Sequence, residues 1–433
     1  MIQKFNIKDF KCHEGYNSFN FPGLTVVSGT NNSGKSSLLQ AVYLLTQNRN
    51  VDFTVLSLNE QLNLGGFSDV LNKGKTMNDA IEFAVQFTDE YLKDTNFAAM
   101  EIAFEYHSPK HFLNLSLDPF EQNPILTSIK AFYKLRENLQ VQTLSFFLSD
   151  HKNEFLYNVE GEKDKGFVRL NGIVPEPVIY SSQQQSDPVI CSIVYDKIRR
   201  LLELLSMTNK IKYIKAFRLD RLGEKNNQVS SQIGLSGEYT AEIIHSHWEG
   251  DVNFELDGTD YEIFSDIFDA WIKKILGDSY KITCDLIEDH YKLLVEDASG
   301  RKYTLNQVGF GISQILPVLT LILSSRPGDM LLIENPEVHL HPKLQGILGD
   351  LCIFATNNGR KLLIETHSEH IINRVRLRIR QKPKILEYIN IYFFEKKDEF
   401  ITCEEISITK EGKLEHWPEN FFDQTYNDML GLI

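Results

Sequence analysis

Eight residues near the amino terminus, Gly29-Thr-Asn-Asn-Ser-Gly-Lys-Ser36, form a complete G-x-x-x-x-G-K-[ST] pattern. Glycines let such a loop curl until its backbone N–H groups point inward, and a following helix adds the partial positive charge of its first turn, so the segment is built to hold phosphate oxygens. Lys35 is expected to neutralise the β and γ phosphates of ATP, and the Ser36 hydroxyl to ligate Mg2+. The expected nucleotide contacts are Gly29, Asn31, Asn32, Ser33, Gly34, Lys35, Ser36 and Ser37. A glycine-rich turn with a chance lysine would match the same pattern. The apolar strand at 24–28 and the continuous helical run at 35–45 supply the context that only a phosphate loop needs.

Two apolar runs further along end in groups able to act on a phosphate. Met330-Leu-Leu-Ile leads into Glu334-Asn-Pro-Glu337, and a buried parallel strand delivers an acid in this way to the phosphate end of a site. Glu334 is the expected ligand of magnesium or its water. A carboxylate after a strand is otherwise often only a helix cap. Lys361-Leu-Leu-Ile-Glu365 leads into Thr366-His367, and a histidine there can hydrogen-bond the γ-phosphate or the attacking water. Alone, a histidine after a strand is more often a capping or packing residue.

The elements that position these groups read as a divided α/β fold. Strand, turn, strand, loop and helix open the chain, and β-rich stretches follow at 81–87, 100–106, 143–148 and 167–170. The apolar spacing of Ile190, Ile193, Val194, Ile198, Leu201, Leu202 and Leu205 predicts a helix, as does residues 261–276. Paired strands at 281–286 and 291–296 lead to a helix after Gly311, a strand at 330–333, a helix from Pro342, a strand at 361–364 and a helix from Ser368. The expected organisation is therefore one half of a nucleotide-binding head at 1–75, an insertion at 76–280 that is first β-rich and then helical, the second half of the head at 281–396, and a closing segment at 397–433.

These residues resemble the ABC-type ATPases of the OLD, RecF and SMC group, and more closely the bacterial AAA-family proteins of the OLD-like branch. The resemblance is carried by the phosphate loop, by Gly309-Phe-Gly-Ile-Ser313-Gln, by Ile333-Glu-Asn-Pro-Glu-Val-His-Leu-His-Pro342, by Glu365-Thr-His-Ser368 and by the segment from Gly412 to Asp423. Weaker echoes lie at Tyr213-Ile-Lys-Ala-Phe-Arg218 and Gly234-Leu-Ser-Gly-Glu-Tyr239. It implies a P-loop NTPase fold of the ABC-ATPase head type and a homodimer or higher homo-oligomer that sandwiches ATP. Ser313 would then reach the γ-phosphate held by the opposite copy; otherwise its segment is a simple turn into a helix. ABC ATPases place their catalytic glutamate directly after the magnesium acid, and Asn335 stands there in this sequence. An amide cannot act as a general base, so either Glu337 takes that role or hydrolysis is slow.

Relatives in the OLD group continue into a Toprim nuclease domain, for which the residues after the head leave no room. The resemblance thus implies an ATPase subunit acting with a separate effector, a nuclease above all, in bacterial antiphage defence in the manner of the Septu ATPase. Two other readings are a RecF-like repair clamp, which predicts ATP-dependent DNA binding with a steep salt dependence, and a transporter subunit, which the 273 residues between Ser36 and Gly309 (309 − 36) disfavour. SMC-like tethering would require sustained heptads, which the insertion lacks.

Composition narrows the setting. The 433 residues are 42% hydrophobic and 24% charged, ordinary for a folded globular chain, and the net charge of -14 speaks against indiscriminate coating of nucleic acid. The run Arg374, Arg376, Arg378, Arg380, Lys382 and Lys384 is the one basic concentration: a solvated helix face, or else a contact for DNA or an acidic partner. Five scattered cysteines without a C-x-x-C pair suit a reducing cytoplasm. His339, His341, His367 and His370 invite a metal reading, but the H-E-x-x-H pattern is missing. No segment reads as membrane-spanning, the longest apolar run being broken by Pro317.

Overall fold

The computed structural model describes residues 2–422 apart from 48–55, 60, 88–91, 93–96, 109–122, 137–139, 149–155, 162–164, 172, 178–192, 206–209, 219–231, 288–289, 398–399 and 420. Ile190 and Asp423, named above, lie outside the described residues. Two compact units are formed, one of residues 1–20 and 36–210, the other of residues 21–35 and 211–433.

The first unit opens with β1 (Ile2–Phe10) and β2 (His13–Asn20). The chain runs through the second unit in β3 (Leu24–Gly29) and continues into α1 (Lys35–Gln47) and the short α2 (Phe67–Val70). Then come β4 (Ile81–Phe87), β5 (Phe97–His107), β6 (Ile125–Leu135) and β7 (Val141–Leu148). The unit closes with β8 (Tyr157–Glu160), β9 (Lys165–Asn171), β10 (Val174–Pro177) and α3 (Ile193–Leu205). Its nine strands form one antiparallel sheet in the order β10-β9-β8-β7-β6-β5-β4-β1-β2. β5 alternates buried and more exposed positions along most of its length, as a strand with one covered face must. The covered side includes Phe10, Phe83 and Tyr106, with the Phe10 and Phe83 rings 5.4 Å apart edge to face.

The second unit resumes with β11 (Ile211–Ile214), α4 (Thr240–His247), the hairpin β12 (Asp251–Leu256) and β13 (Thr259–Ile263), and α5 (Phe264–Leu276). The three-stranded sheet β14 (Tyr280–Ile287), β15 (His290–Asp297) and β16 (Lys302–Thr304) leads through α6 (Leu305–Val308) to α7 (Phe310–Leu323). β17 (Met330–Glu334), α8 (Pro342–Asn357), β18 (Lys361–Glu365), α9 (Glu369–Gln381), β19 (Ile389–Lys397) and β20 (Phe400–Glu405) follow. The main sheet runs β11-β17-β18-β3-β19-β20, parallel throughout except for the final antiparallel pair. β17 is buried at every position, which is why it reads as an uninterrupted apolar run.

Leu331, Ile333, Ile364, Val26 and Ile391 form one core with Ile315 and Leu319 of α7 and Leu348 and Leu351 of α8. Full burial of such side chains contributes about 1.5–3 kcal/mol each. Ile364→Ala is therefore expected to lower unfolding free energy by about 2–5 kcal/mol, measured by chemical denaturation; a wild-type midpoint would contradict a central position for β18.

The parallel α/β sheet agrees with the fold expected from the sequence, while the unit boundaries differ from it. β1 pairs with β4, Ile7 opposite Phe83, so the first 20 residues share a sheet with the segment read as an insertion. The second unit resumes at residue 211 rather than 281. Pairing between distant strands leaves no trace in either strand's own pattern. The helix expected at 261–276 begins at Phe264, because Thr259–Ile263 pairs with β12. Among the described residues, no helix is long and apolar enough to cross a membrane.

Candidate functional site

Four parallel strands of the second unit end side by side. The register pairs Ile214 with Ile333, Glu334 with Glu365, and Glu365 with Val27, so the residues following β11, β17, β18 and β3 gather at one edge of the sheet. The crevice outside the carboxyl ends of parallel strands is where open α/β sheets bind ligands.

The loop after β3 has the curled backbone that its glycines permit. Gly29 (φ 145°) lies so close to β19 that a Cβ there would stand 1.9 Å from the Phe394 carbonyl oxygen, which also accepts the Thr30 amide at 3.0 Å. Asn32 and Gly34 adopt φ of 57° and 95°. Asn31 and Asn32 are exposed, whereas Ser33 is buried and donates to the Thr30 carbonyl at 2.7 Å. Lys35 is buried, and its Nζ donates to the same carbonyl at 2.6 Å. Ser36 and Ser37 follow in the first turn of α1, where Ser37 Oγ accepts from Cys12 Sγ at 3.7 Å.

Glu334 ends β17 with its carboxylate held on both oxygens. Tyr213 Oη donates to Oε1 and the Ala216 amide to Oε2 at 3.3 Å. Three residues on, the Glu337 Oε1 accepts the His367 amide at 2.6 Å, which locks the turn after β17 to the turn after β18. Burial raises the Glu337 pKa above the ordinary 4.5, against hydrogen bonds from His367 and Thr366 and the charge of Arg218. The His367 ring is exposed, and partial burial together with the Lys35 charge lowers its pKa below 6.5, so the neutral imidazole prevails at neutral pH. Lys35, His367, Glu337 and Glu334 are thus brought together. Asn335 has φ 37° and an amide that donates to the Glu365 carbonyl at 2.8 Å.

Two participants were not assigned from the sequence. Tyr213 and Arg218, quoted only as an echo, flank the end of β11; Arg218 is buried and its Nη2 donates to the Glu334 carbonyl oxygen at 2.8 Å. Burial lowers the guanidinium pKa to about 10, opposed by Glu337 and Glu334, so it stays charged at neutral pH. The signal was the short apolar strand at 211–214, which ends in the same direction as β17.

Ser313 stands differently from the expectation. It lies in the first turns of α7 but is fully buried, and a hydroxyl that reaches a second copy has to be exposed. Gly309, just before that helix, is exposed, with φ 122°. An arginine at 313 would have to be buried, so Ser313→Arg reports on folding before association.

Other sequence candidates have structural duties. His341 caps α8, accepting the Lys343 amide at 3.3 Å. Arg374 and Arg378 bind Asp350 at 3.0 and 2.7 Å, and Arg376 donates to the Gly412 carbonyl and lies over the Trp417 ring. Much of the basic run therefore ties α9 to its neighbours, leaving Arg380, Lys382 and Lys384 exposed.

The residues present fit a triphosphate with magnesium. A curled amide-rich loop ends in a lysine, carboxylates stand at the adjoining strand ends, and buried polar atoms there (Arg218 Nε and Nη1, Asn335 Oδ1, Glu337 Oε2) have no hydrogen-bond partner among the described residues.

Comparison with known proteins agrees with this chemistry. Residues 1–372 match the AAA ATPase domain, and residues 386–432 match a family described as a protein of unknown function, DUF3696. No curated protein matches the chain. Among solved structures, an SmcHead bound to the C-winged helix domain of ScpA has 11% identity over 94% of this chain and 98% of its own, with a TM-score of 0.48. The SMC head domain from Thermotoga maritima has 10% identity over 94% and 99%, TM-score 0.42. An Smc head domain with an extended coiled coil, bound to the C-terminal domain of ScpA derived from Pyrococcus furiosus, has 11% identity over 100% and 99%, TM-score 0.46. These are distant likenesses.

Proposed function

Because the chain belongs to the AAA ATPase domain family, we propose that it binds ATP with Mg2+ at residues 29–36 and hydrolyses it, and that ATP-driven association of its copies controls a separate effector. The single observation that carries the nucleotide reading is the convergence of Lys35, Glu334, Glu337 and His367 at adjoining strand ends. Release of phosphate from ATP by the purified chain tests it. No release above a buffer control would overturn the assignment of an ATPase.

In the reaction, water attacks the γ-phosphorus, the bond from that phosphorus to the β–γ bridging oxygen breaks, and the water proton passes to a base. Magnesium bound by Glu334, with the Ser36 hydroxyl next along the chain from Lys35, would neutralise phosphate charge. Lys35 and the loop amides hold the phosphates in place. Glu337 is the base: its Oε1 is fixed by the His367 amide and its Oε2 is left to take the proton. Burial raises its proton affinity, which suits that task. His367, neutral, steadies the γ-phosphate or the water.

A pH dependence follows. Glu337 accepts a proton only when ionised and its pKa is raised, so turnover should fall with decreasing pH through a midpoint above 4.5. The profile of kcat against pH checks this, and an acid limb at or below that value would remove Glu337 from the role.

The effector reading draws on the resemblance of residues 333–342 and 365–368 to antiphage-defence ATPases of the OLD-like branch, in which a nuclease is the partner to expect. Tagged Glu337→Gln, holding ATP, should retain that partner from its native host, while Lys35→Ala should not. Equal recovery with both would disconnect nucleotide state from partner binding.

A further inference from the structure

Arg218 is buried to 2% exposure, yet two of its three guanidinium nitrogens, Nε and Nη1, have no acceptor among the described residues. Its neighbour Phe217 is 76% exposed. An exposed phenylalanine beside a buried arginine reverses the usual partition, so something other than apolar packing holds the arginine inside. Its third nitrogen, Nη2, is fixed on the Glu334 carbonyl, which sets the guanidinium beside the carboxyl end of β17. A buried donor without a partner is costly, and planar guanidinium donors match phosphate oxygens in geometry and charge.

The same corner holds Glu337, whose Oε1 is engaged by the His367 amide, and His367 in turn feels the charge of Lys35. Arg218 therefore reaches the carboxyl end of β17, with β18 between it and β3, the strand from which the phosphate loop follows. In the nucleotide reading, the loop and Lys35 would hold the phosphates from the β3 side. A cation at Arg218 stands beside Glu334 and Glu337, the groups that the nucleotide reading sets at the terminal phosphate.

We propose that Arg218 is a binding residue for the γ-phosphate, its Nε and Nη1 donating to terminal oxygens so that the site distinguishes ATP from ADP. This rests on the nucleotide reading given above. The competing role is a tie that only holds Glu337 in place, since the Glu337 Oε2 also has no hydrogen-bond partner among the described residues. In that case nucleotide preference would not depend on Arg218.

Calorimetric titration of the full chain with Mg2+ and either ADP or the slowly hydrolysed analogue ATPγS separates these. Arg218→Met and Arg218→Gln are expected to bind ADP within about twofold of wild type but ATPγS roughly ten- to a hundredfold more weakly, the scale of a charged hydrogen bond. The loss should persist in a Glu337→Gln background, where the Glu337 carboxylate is no longer there to position. A wild-type ratio of the two affinities in either variant that binds ADP would overturn the proposal. Disappearance of the loss in the Glu337→Gln background, or failure of both variants to bind either nucleotide, would overturn it as well and make Arg218 a structural tie. Wild-type protein that binds neither nucleotide would instead sink the phosphate-loop reading.

Discussion

Lys35→Ala is expected to abolish ATP binding, weakening it by at least about 100-fold, because in the proposed site the ammonium would make several charge-assisted contacts to phosphate. Lys35 is nearly fully buried, and its Nζ is already drawn back to 2.6 Å from the Thr30 carbonyl inside the loop. The lost charge would also be felt at His367, whose pKa should rise towards its ordinary value once Lys35 no longer lowers it. Titration with a fluorescent nucleotide measures the first effect and proton NMR of the imidazole the second. Affinity close to wild type in Lys35→Ala would remove the phosphate loop from the site.

Glu337→Gln is expected to slow turnover by roughly 100-fold or more while leaving ATP bound, since the amide keeps the shape of the side chain and loses the ability to accept a proton. The amide oxygen can still receive the His367 N–H that now goes to Oε1 at 2.6 Å, so the link between the turns after β17 and β18 survives. Asn335→Asp should change turnover less, because the Asn335 backbone is held to Glu365 with a positive φ and its side-chain Oδ1 is buried. Single-turnover phosphate release compares the three proteins. Equal hydrolysis by wild type and Glu337→Gln would place the base elsewhere.

The parts of this site that were legible share one property: each lies where a continuous apolar strand gives way to polar residues. β3, β17 and β18 are buried along nearly their whole length, so their composition alone announces a parallel sheet, and the glycines at 29 and 34 mark the curled loop. Arg218 was not legible in the same way. β11 is only four residues long, and ordinary hydrophobicity would bury Phe217 and expose Arg218, the reverse of what is found. The sharing of one sheet by β1 and β4 was hidden because pairing is a relation between segments. For the α9 arginines, the sequence showed a charge run and could not show that Asp350 of α8 faces it. The α7 segment at Ser313 suggested a hydroxyl at a surface, whereas helical rotation turns that residue into the core.

Sedimentation velocity of the full chain with Mg2+ and ATP, set beside the same protein with ADP, tests the claim that the γ-phosphate drives association. Wild type should sediment faster with ATP than with ADP, Glu337→Gln should hold the faster form for as long as ATP stays bound, and Lys35→Ala should not respond to either nucleotide. Identical sedimentation of wild type and Glu337→Gln in ATP and ADP would contradict the account, because the site would then bind its nucleotide without passing any signal to a second copy.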